Sequence, residues 1–150
     1  MKRKTYLLIL TLMLSLPLFA QEGLHIAPLF NGQFRDDRHA TEVLMKGRKL
    51  APYKLTLFRS LTLNTGRVDV GKIERLIRAD GSSAIDKEVG MRGGRLYYGF
   101  YQLKPAGHTR RYLFYRNNSL KPGGGHTATL TVIYMEGAAT IDELKRTFGS

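Results

Sequence analysis

Three aromatic-rich runs in the second half of the chain constrain the fold more than any other feature. They are "RLYYGFYQL" (Arg95 to Leu103), "RYLFYRNN" (Arg111 to Asn118) and "ATLTVIYM" (Ala128 to Met135). Aromatic and β-branched residues favour strands, and the gaps "KPAGHT" and "SLKPGGG" carry the Gly and Pro of antiparallel connections. The third run is apolar or Thr on both faces, which predicts a strand in the centre of the sheet.

Two further strands and two helices complete the predicted order. The strands are "TEVLMKG" and "KLTLFRSLTL", the second with alternating leucines. One helix follows Asp69, a good N-cap, and stops at Gly81; the other begins at a capping box of Thr140 and Glu143. The stretch "DGSSAIDKEVG" between them is predicted to be a loop or broken turn. The order β-β-α-β-β-β-α predicts an α+β fold, in which an antiparallel sheet of about five strands carries two packed helices.

The first twenty residues, "MKRKTYLLILTLMLSLPLFA", have the features of a secretory signal peptide. A basic start precedes an apolar run, and Ala20 is a small residue after which a peptidase can cut. The apolar run is short for a membrane span, which needs about 20 residues, and this argues against the alternative of a retained anchor. We therefore expect a periplasmic or secreted protein that begins near Gln21 and has no transmembrane segment after processing.

The remaining chain is short enough for one domain. We expect residues 21–40, which show no periodicity, to be poorly ordered, and residues 41–150 to form a single α+β domain. The absence of cysteine excludes disulfides, thiol chemistry and a lipid anchor on cysteine. After loss of the leader, 21 basic and 12 acidic residues leave a net charge of +9.

The segment "GRVDVGK" matches most of a phosphate-binding P-loop, G-x-x-x-x-G-K-[ST]. A working P-loop ends in Ser or Thr, whose hydroxyl binds magnesium, whereas this chain has Ile73 there. Asp69 would also place a negative charge inside a loop that must wrap phosphates. We therefore interpret Gly66 as a turn residue and Asp69 as a helix cap, and we predict no nucleotide and no cofactor.

The sequence evidence for other kinds of catalytic site is equally weak. None of the four histidines has a partner at metal-ligand spacing, which predicts no metal site. No Gly-x-Ser-x-Gly motif is present, and no cysteine nucleophile is possible. Asp86 and Glu88 would share one side of the chain if their segment were extended, and they are the only acid pair that we consider for general acid–base chemistry.

No acidic residue occurs between Val89 and Met135, a stretch rich in Arg and Tyr. Arginine supplies charge and planar donors, and tyrosine supplies flat faces, as an anion-binding or stacking surface requires. The alternative to a binding surface is that the aromatic residues form the core while the arginines face solvent. The candidate binding residues are Arg95, Tyr98, Tyr101, Arg110, Arg111, Tyr115 and Arg116.

An acidic polysaccharide, a lipid head group or an acidic protein of the cell envelope would suit such a surface. The aromatic runs differ in order and in key positions from RNA-recognition motifs, and export also argues against nucleic acid.

Five stretches carry a resemblance to a known family: "PYKLTLFRSLT", "DKEVG", "GGRLYYGFYQL", "RYLFYRNNSL" and "TLTVIYMEG". Over Thr41 to Phe148 the chain resembles a domain-of-unknown-function family of small exported proteins from Bacteroides-type bacteria. The resemblance implies export and a single domain, and it implies no activity, cofactor or catalytic residue.

Two functions from different classes remain open on the sequence. The first is a non-enzymatic binding module that uses the basic aromatic surface. The alternative is an envelope-directed hydrolase that acts on glycan or peptide through carboxylates such as Asp86 and Glu88.

Overall fold

The computed structural model describes residues 23–148, so the predicted signal peptide lies outside the described residues. These residues form an α+β fold with one open antiparallel sheet of six strands in the order β1-β2-β6-β5-β4-β3. The strands are β1 (Thr41–Lys46), β2 (Leu55–Asn64), β3 (Asp86–Arg92), β4 (Arg95–Ala106), β5 (Thr109–Asn117) and β6 (Thr129–Gly137).

The three aromatic-rich runs form the meander β4-β5-β6, as predicted. Strand β6 pairs with β5 on one side and with β2 on the other, so the prediction that the third run is central is confirmed. Its side chains are largely buried along its whole length, which explains why the run is apolar or Thr on both faces.

The sheet has one strand more than the sequence predicts. The second half of the stretch "DGSSAIDKEVG", which was expected to be a loop or broken turn, belongs to strand β3 (Asp86–Arg92). This strand lies at the edge of the sheet, where it pairs only with β4. Every residue of β3 is exposed except the half-buried Gly90, so no apolar alternation marks it. Its Asp, Lys, Glu and Gly residues are depleted in strands and are typical of a protected edge.

The two α-helices of the described residues are α1 (Val70–Gly81) and α2 (Ile141–Phe148). The carboxylate of Asp69 accepts the Lys72 amide at 2.9 Å, which confirms the predicted cap of α1. The helix includes Gly81 as its last residue, and Ser82 is its C-cap. Residues 23–148 also contain three short 3-10 helices, at Ala27–Phe30, Gly47–Tyr53 and Asn118–Leu120.

Helix α1 and the N-terminal segment together cover one face of the sheet, which we call face 1. Ile73 and Ile77 of α1 pack into a core with apolar side chains from β2, β4, β5 and β6. The segment before β1 was expected to be poorly ordered, but Ile26, Leu29 and Phe30 are buried in the same core. The order of this segment therefore comes from tertiary packing, which a search for local periodicity does not detect.

Helix α2 lies on the opposite face, which we call face 2. Leu144 packs on Phe100, Tyr112 and Met135, and Phe148 stacks on Phe58 with ring centroids 6.0 Å apart. With only eight residues, α2 covers one end of face 2. The other end carries half-buried side chains and is called the open half of face 2 below.

The ring of Tyr101 locks α1 to the sheet. It lies on face 1 between Gly81 of α1 and Gly99 of β4, and a Cβ at either glycine would overlap it, at 2.5 Å in the case of Gly99. Tyr101 itself is 3 % exposed. The two glycines are therefore required for space, since neither has a positive φ.

We predict that Gly99→Ala destabilises the protein by about 1–3 kcal/mol, because the new methyl overpacks the Tyr101 ring. In a Tyr101→Leu background the same substitution should cost much less, since the smaller side chain leaves room. Urea denaturation of the four proteins of this double-mutant cycle measures the coupling. Gly71→Ala is the control, because its methyl would meet only ordinary contacts; an equal cost of Gly99→Ala in both backgrounds would contradict the account.

Candidate functional site

A row of directly paired residues crosses the open half of face 2. From β3 to β2, the row consists of the paired residues Gly90, Tyr98, Arg116, Thr131 and Thr62. All five are half-buried, and the hydroxyls of Thr62 and Thr131 lie 3.4 Å apart. With strands about 4.8 Å apart, the row is roughly 19 Å long.

A β-bulge adds a second tyrosine to this row. The β3–β4 register shifts between Gly90 and Met91, because Tyr97 is the extra residue of β4. A bulge redirects side chains, and here a Cβ on Gly90 would meet the Tyr97 ring at 2.5 Å. Tyr97 therefore lies on face 2 beside Tyr98, and Gly90 provides the space beneath its ring.

The row is supported by aromatic packing from the next row of the sheet. Tyr98 contacts Phe114 edge-on with ring centroids 5.6 Å apart, and Phe114 contacts Phe100 in the same way. Burial and then the charge of Glu88 raise the pKa of Tyr98, against smaller opposing effects of Lys145 and Arg116. The Tyr98 hydroxyl is therefore protonated at neutral pH and can donate a hydrogen bond.

Arg116 differs from most arginines of the acid-free stretch. It is half-buried among the aromatic residues of face 2, and no described carboxylate lies within ion-pair distance of it. By contrast, Arg92, Arg110 and Arg111 donate to backbone carbonyls, of Lys121, Ala138 and Lys104 respectively. Arg116 is thus a cation at the surface whose guanidinium N–H groups are available to donate hydrogen bonds.

The structure does not bring the seven sequence-predicted residues together. Tyr98 and Arg116 are direct partners on face 2, while Arg110 lies at the far end of β5 beside the α2 connection. The other four belong to face 1 or its edge: Tyr101, Tyr115, Arg95 and Arg111.

Two of those four are core residues that a partner does not reach in this structure. Tyr101 is 3 % exposed and Tyr115 is 0 % exposed. Burial raises the pKa of Tyr115 to about 12, so its phenol stays neutral inside the core.

A second candidate site is a cleft between α1 and the β3–β4 turn. Its centre is the carboxylate of Glu74, which is 5 % exposed. Arg78 donates to it at 2.6 Å, Arg95 at 3.0 Å and the Leu96 amide at 3.0 Å. Gly71, Arg75 and Gly94 complete the lining of this cleft, whose volume is about 430 Å³.

Electrostatics keep Glu74 ionised despite its burial. Burial alone would raise the pKa of Glu74, but the hydrogen bonds from the Leu96 amide, Arg95 and Arg78 outweigh it and hold the pKa below its ordinary value. The carboxylate therefore positions both arginines at neutral pH.

Asp86 and Glu88 lie on one side of β3, as the sequence predicts for an extended segment. Both are exposed at the sheet edge, and the Glu88 carboxylate accepts a 2.6 Å hydrogen bond from Lys145 of α2. Glu88 thus ties α2 to the edge strand, and this contact explains the residue without acid–base chemistry.

The P-loop-like glycines are also explained by local structure. Gly71 and Lys72 lie in the first turn of α1, where the Asp69 carboxylate occupies the Lys72 amide. Residues 23–148 contain no cluster of His, Asp or Glu arranged to hold a metal ion, and none of their helices is long and apolar enough to cross a membrane.

Residues 23–148 form an α+β protein with an open six-stranded antiparallel sheet, and the half of face 2 that carries Tyr97, Tyr98 and Arg116 is covered by no helix of these residues. A model of the Family of unknown function (DUF6108) matches residues 13–148, so the chain belongs to that family. The match confirms the resemblance to a domain of unknown function. Comparison with curated proteins and with solved structures gives no match.

Sequence reasoning missed Tyr97, Thr62, Thr131 and the Glu74 cluster. A bulge has no reliable signal in the sequence, and a cross-strand row depends on register, which only the paired strands reveal. One signal was available: strand alternation places Arg111 and Arg116 on opposite faces, since they are five residues apart.

We predict that Glu74→Gln lowers the free energy of unfolding by about 1–3 kcal/mol at pH 7, because charge-assisted hydrogen bonds are lost. The pKa of Glu74 is lower in the folded protein, so its contribution is present above 4.5 and is lost as pH falls through the folded pKa. The stability difference from wild type should therefore shrink between pH 5 and the acid limit of folding. Urea denaturation across this range measures it; a constant difference would contradict the account.

Proposed function

We propose that this protein is an exported, non-enzymatic binding module and that the open half of face 2 binds an acidic polysaccharide of the cell envelope. The observation that carries the proposal is Arg116. It is a half-buried cation without a described carboxylate partner, placed between Tyr98 and Thr131 in the same row. Partial burial strengthens its attraction for an anion, because charges at such sites are screened less than fully exposed ones.

The chemistry of the row favours a polysaccharide. A sugar ring has an apolar face that packs on flat aromatic side chains, and it has hydroxyls that need donors and acceptors. Tyr97 and Tyr98 supply the aromatic rings, and the hydroxyls of Thr62 and Thr131 supply hydrogen-bond donors and acceptors. Arg116 adds a planar fork of donors that matches a carboxylate or sulfate group.

The shape of the surface also favours an extended polymer. The row runs straight across five strands over roughly 19 Å. A lipid head group or a small anion would use only part of such a row. The net charge of +9 after loss of the leader adds a general attraction for polyanions.

Export is supported by the leader, with its basic start, apolar run and small residue at position 20. We predict that the protein isolated from its native host begins at or near Gln21 and is found in the periplasm or the medium. N-terminal sequencing of the fractionated protein measures this. Recovery of a soluble cytoplasmic form that retains Met1 would contradict export.

For the binding site, we predict that Arg116→Gln weakens binding to an acidic polysaccharide by about tenfold or more, since a charge-assisted hydrogen bond contributes about 1.5–3 kcal/mol. Wild-type binding should also weaken steeply with salt, because the Debye length falls to about 10 Å at 0.1 M. Titration calorimetry with heparin or polygalacturonate at two salt concentrations gives both quantities.

The matched control is Arg38→Gln, which removes the same charge from an exposed position on the segment that covers face 1. It should change affinity by less than about twofold if location matters. Tyr98→Leu tests stacking separately, because it removes the flat ring and keeps an apolar side chain. Equal losses in Arg116→Gln and Arg38→Gln would show that only net charge matters, and the proposed site would be wrong.

A further inference from the structure

We infer that the cleft between α1 and the β3–β4 turn is a second binding site, which takes a small amphiphile with an anionic group and a short apolar chain. This site lies on the face 1 side and is independent of the polysaccharide site proposed on face 2. The anionic group would sit between Arg75 and Arg95, and the apolar chain would extend past Arg78 into an adjoining pocket.

The charge balance of the cleft favours an anion. Three arginines line it, Arg75, Arg78 and Arg95, and Glu74 is its only carboxylate among the lining residues. Glu74 already accepts three hydrogen bonds, from Arg78, Arg95 and the Leu96 amide. No described carboxylate pairs with Arg75, so the cleft carries two positive charges in excess.

Glu74 also gives two of the arginines fixed positions. Arg95 uses its Nε for Glu74, and Arg78 uses Nη2 for both Glu74 and the Gly94 carbonyl. A guanidinium has five N–H donors in a rigid fork, so each keeps donors that can face the cleft. Because these side chains are already ordered, the entropy cost of fixing them when an anion binds is smaller.

The adjoining pocket supplies the apolar half of the site. It has a volume of about 240 Å³, and Arg78 lines it as well as the cleft. Leu96 and the Tyr101 ring are buried lining residues, whereas Val89 and Met91 are about half exposed, at 46 % and 47 %. Apolar side chains left open beside a cationic cleft match the two halves of an amphiphile.

The position of α1 on the sheet explains why the pocket exists. Helix α1 is fixed over β4 by the Tyr101 ring, so it does not reach over the edge strand β3. On face 1, β3 presents the side chains of Lys87, Val89 and Met91, and no helix within residues 23–148 lies above them. The volume is suited to a chain of a few carbons and is too small for a protein partner's helix.

The experiment compares inorganic phosphate with hexyl phosphate, using backbone amide chemical shifts to locate binding and calorimetry to measure it. Phosphate alone should shift the amides around Arg75, Gly94 and Arg95. Hexyl phosphate should bind at least about tenfold more tightly, because its alkyl chain leaves water on entering the apolar pocket. Equal affinities for the two compounds would overturn the amphiphile assignment.

Matched variants separate the two halves of the site. Arg75→Glu should abolish binding of both compounds, whereas Lys72→Glu, the same reversal at another exposed position of α1, should reduce it by less than about threefold. Met91→Gln should remove most of the hexyl advantage and leave phosphate binding unchanged. If Arg75→Glu binds phosphate as wild type does, the cleft is not an anion site and the inference is wrong.

The outcome is distinguishable from that of the proposed polysaccharide site. Arg116→Gln should leave hexyl phosphate binding unchanged, and Met91→Gln should leave polysaccharide binding unchanged. A loss of hexyl phosphate binding in Arg116→Gln would place that ligand on face 2 and would overturn the inference.

Discussion

The number of strands that a helix can cover is the constraint on which the rest of this structure depends. A helix with its side chains is about 10–12 Å across, and strands lie about 4.8 Å apart, so one helix covers about two strands. The sheet has six strands, and the described residues provide one α-helix for each face. Face 1 is completed by the N-terminal segment, while face 2 and the β3 edge stay partly open, and both candidate sites lie where cover is missing.

Two buried carboxylates on α1 fix the cover of face 1. Asp80 is 4 % exposed and accepts the amides of His25 and Ile26, together with Nδ1 of His25. Glu74 accepts hydrogen bonds from the Leu96 amide and from Arg78 and Arg95. A buried carboxylate is costly unless it is fully hydrogen-bonded, so each of these groups makes the position of its partner segment specific. Ile26 then enters the core because Asp80 holds its backbone there.

The features that were predicted correctly from the sequence are those that depend on a few neighbouring residues. The cap at Asp69 and the central position of β6 are confirmed. The connection between β4 and β5 is shorter than the predicted "KPAGHT", because β4 continues to Ala106 and β5 begins at Thr109. Strand β3 was missed because its side chains face solvent at an edge. The surface was only partly predictable for the same reason: Tyr98 and Arg116 were named, but their pairing is set by register, and Tyr97 joins them through a bulge. The Glu74 cleft joins residues about 20 positions apart, which no local pattern connects.

The acid-free stretch has two different physical explanations. Arg92, Arg110 and Arg111 donate to the backbone carbonyls of Lys121, Ala138 and Lys104 respectively. These three arginines therefore have partners within the protein that account for them without an external ligand. Arg116 has no such carbonyl among its described partners and no carboxylate. It therefore remains available for an external anion, and this physical difference is why we propose a binding role for Arg116 and not for the structural arginines in the same part of the sequence.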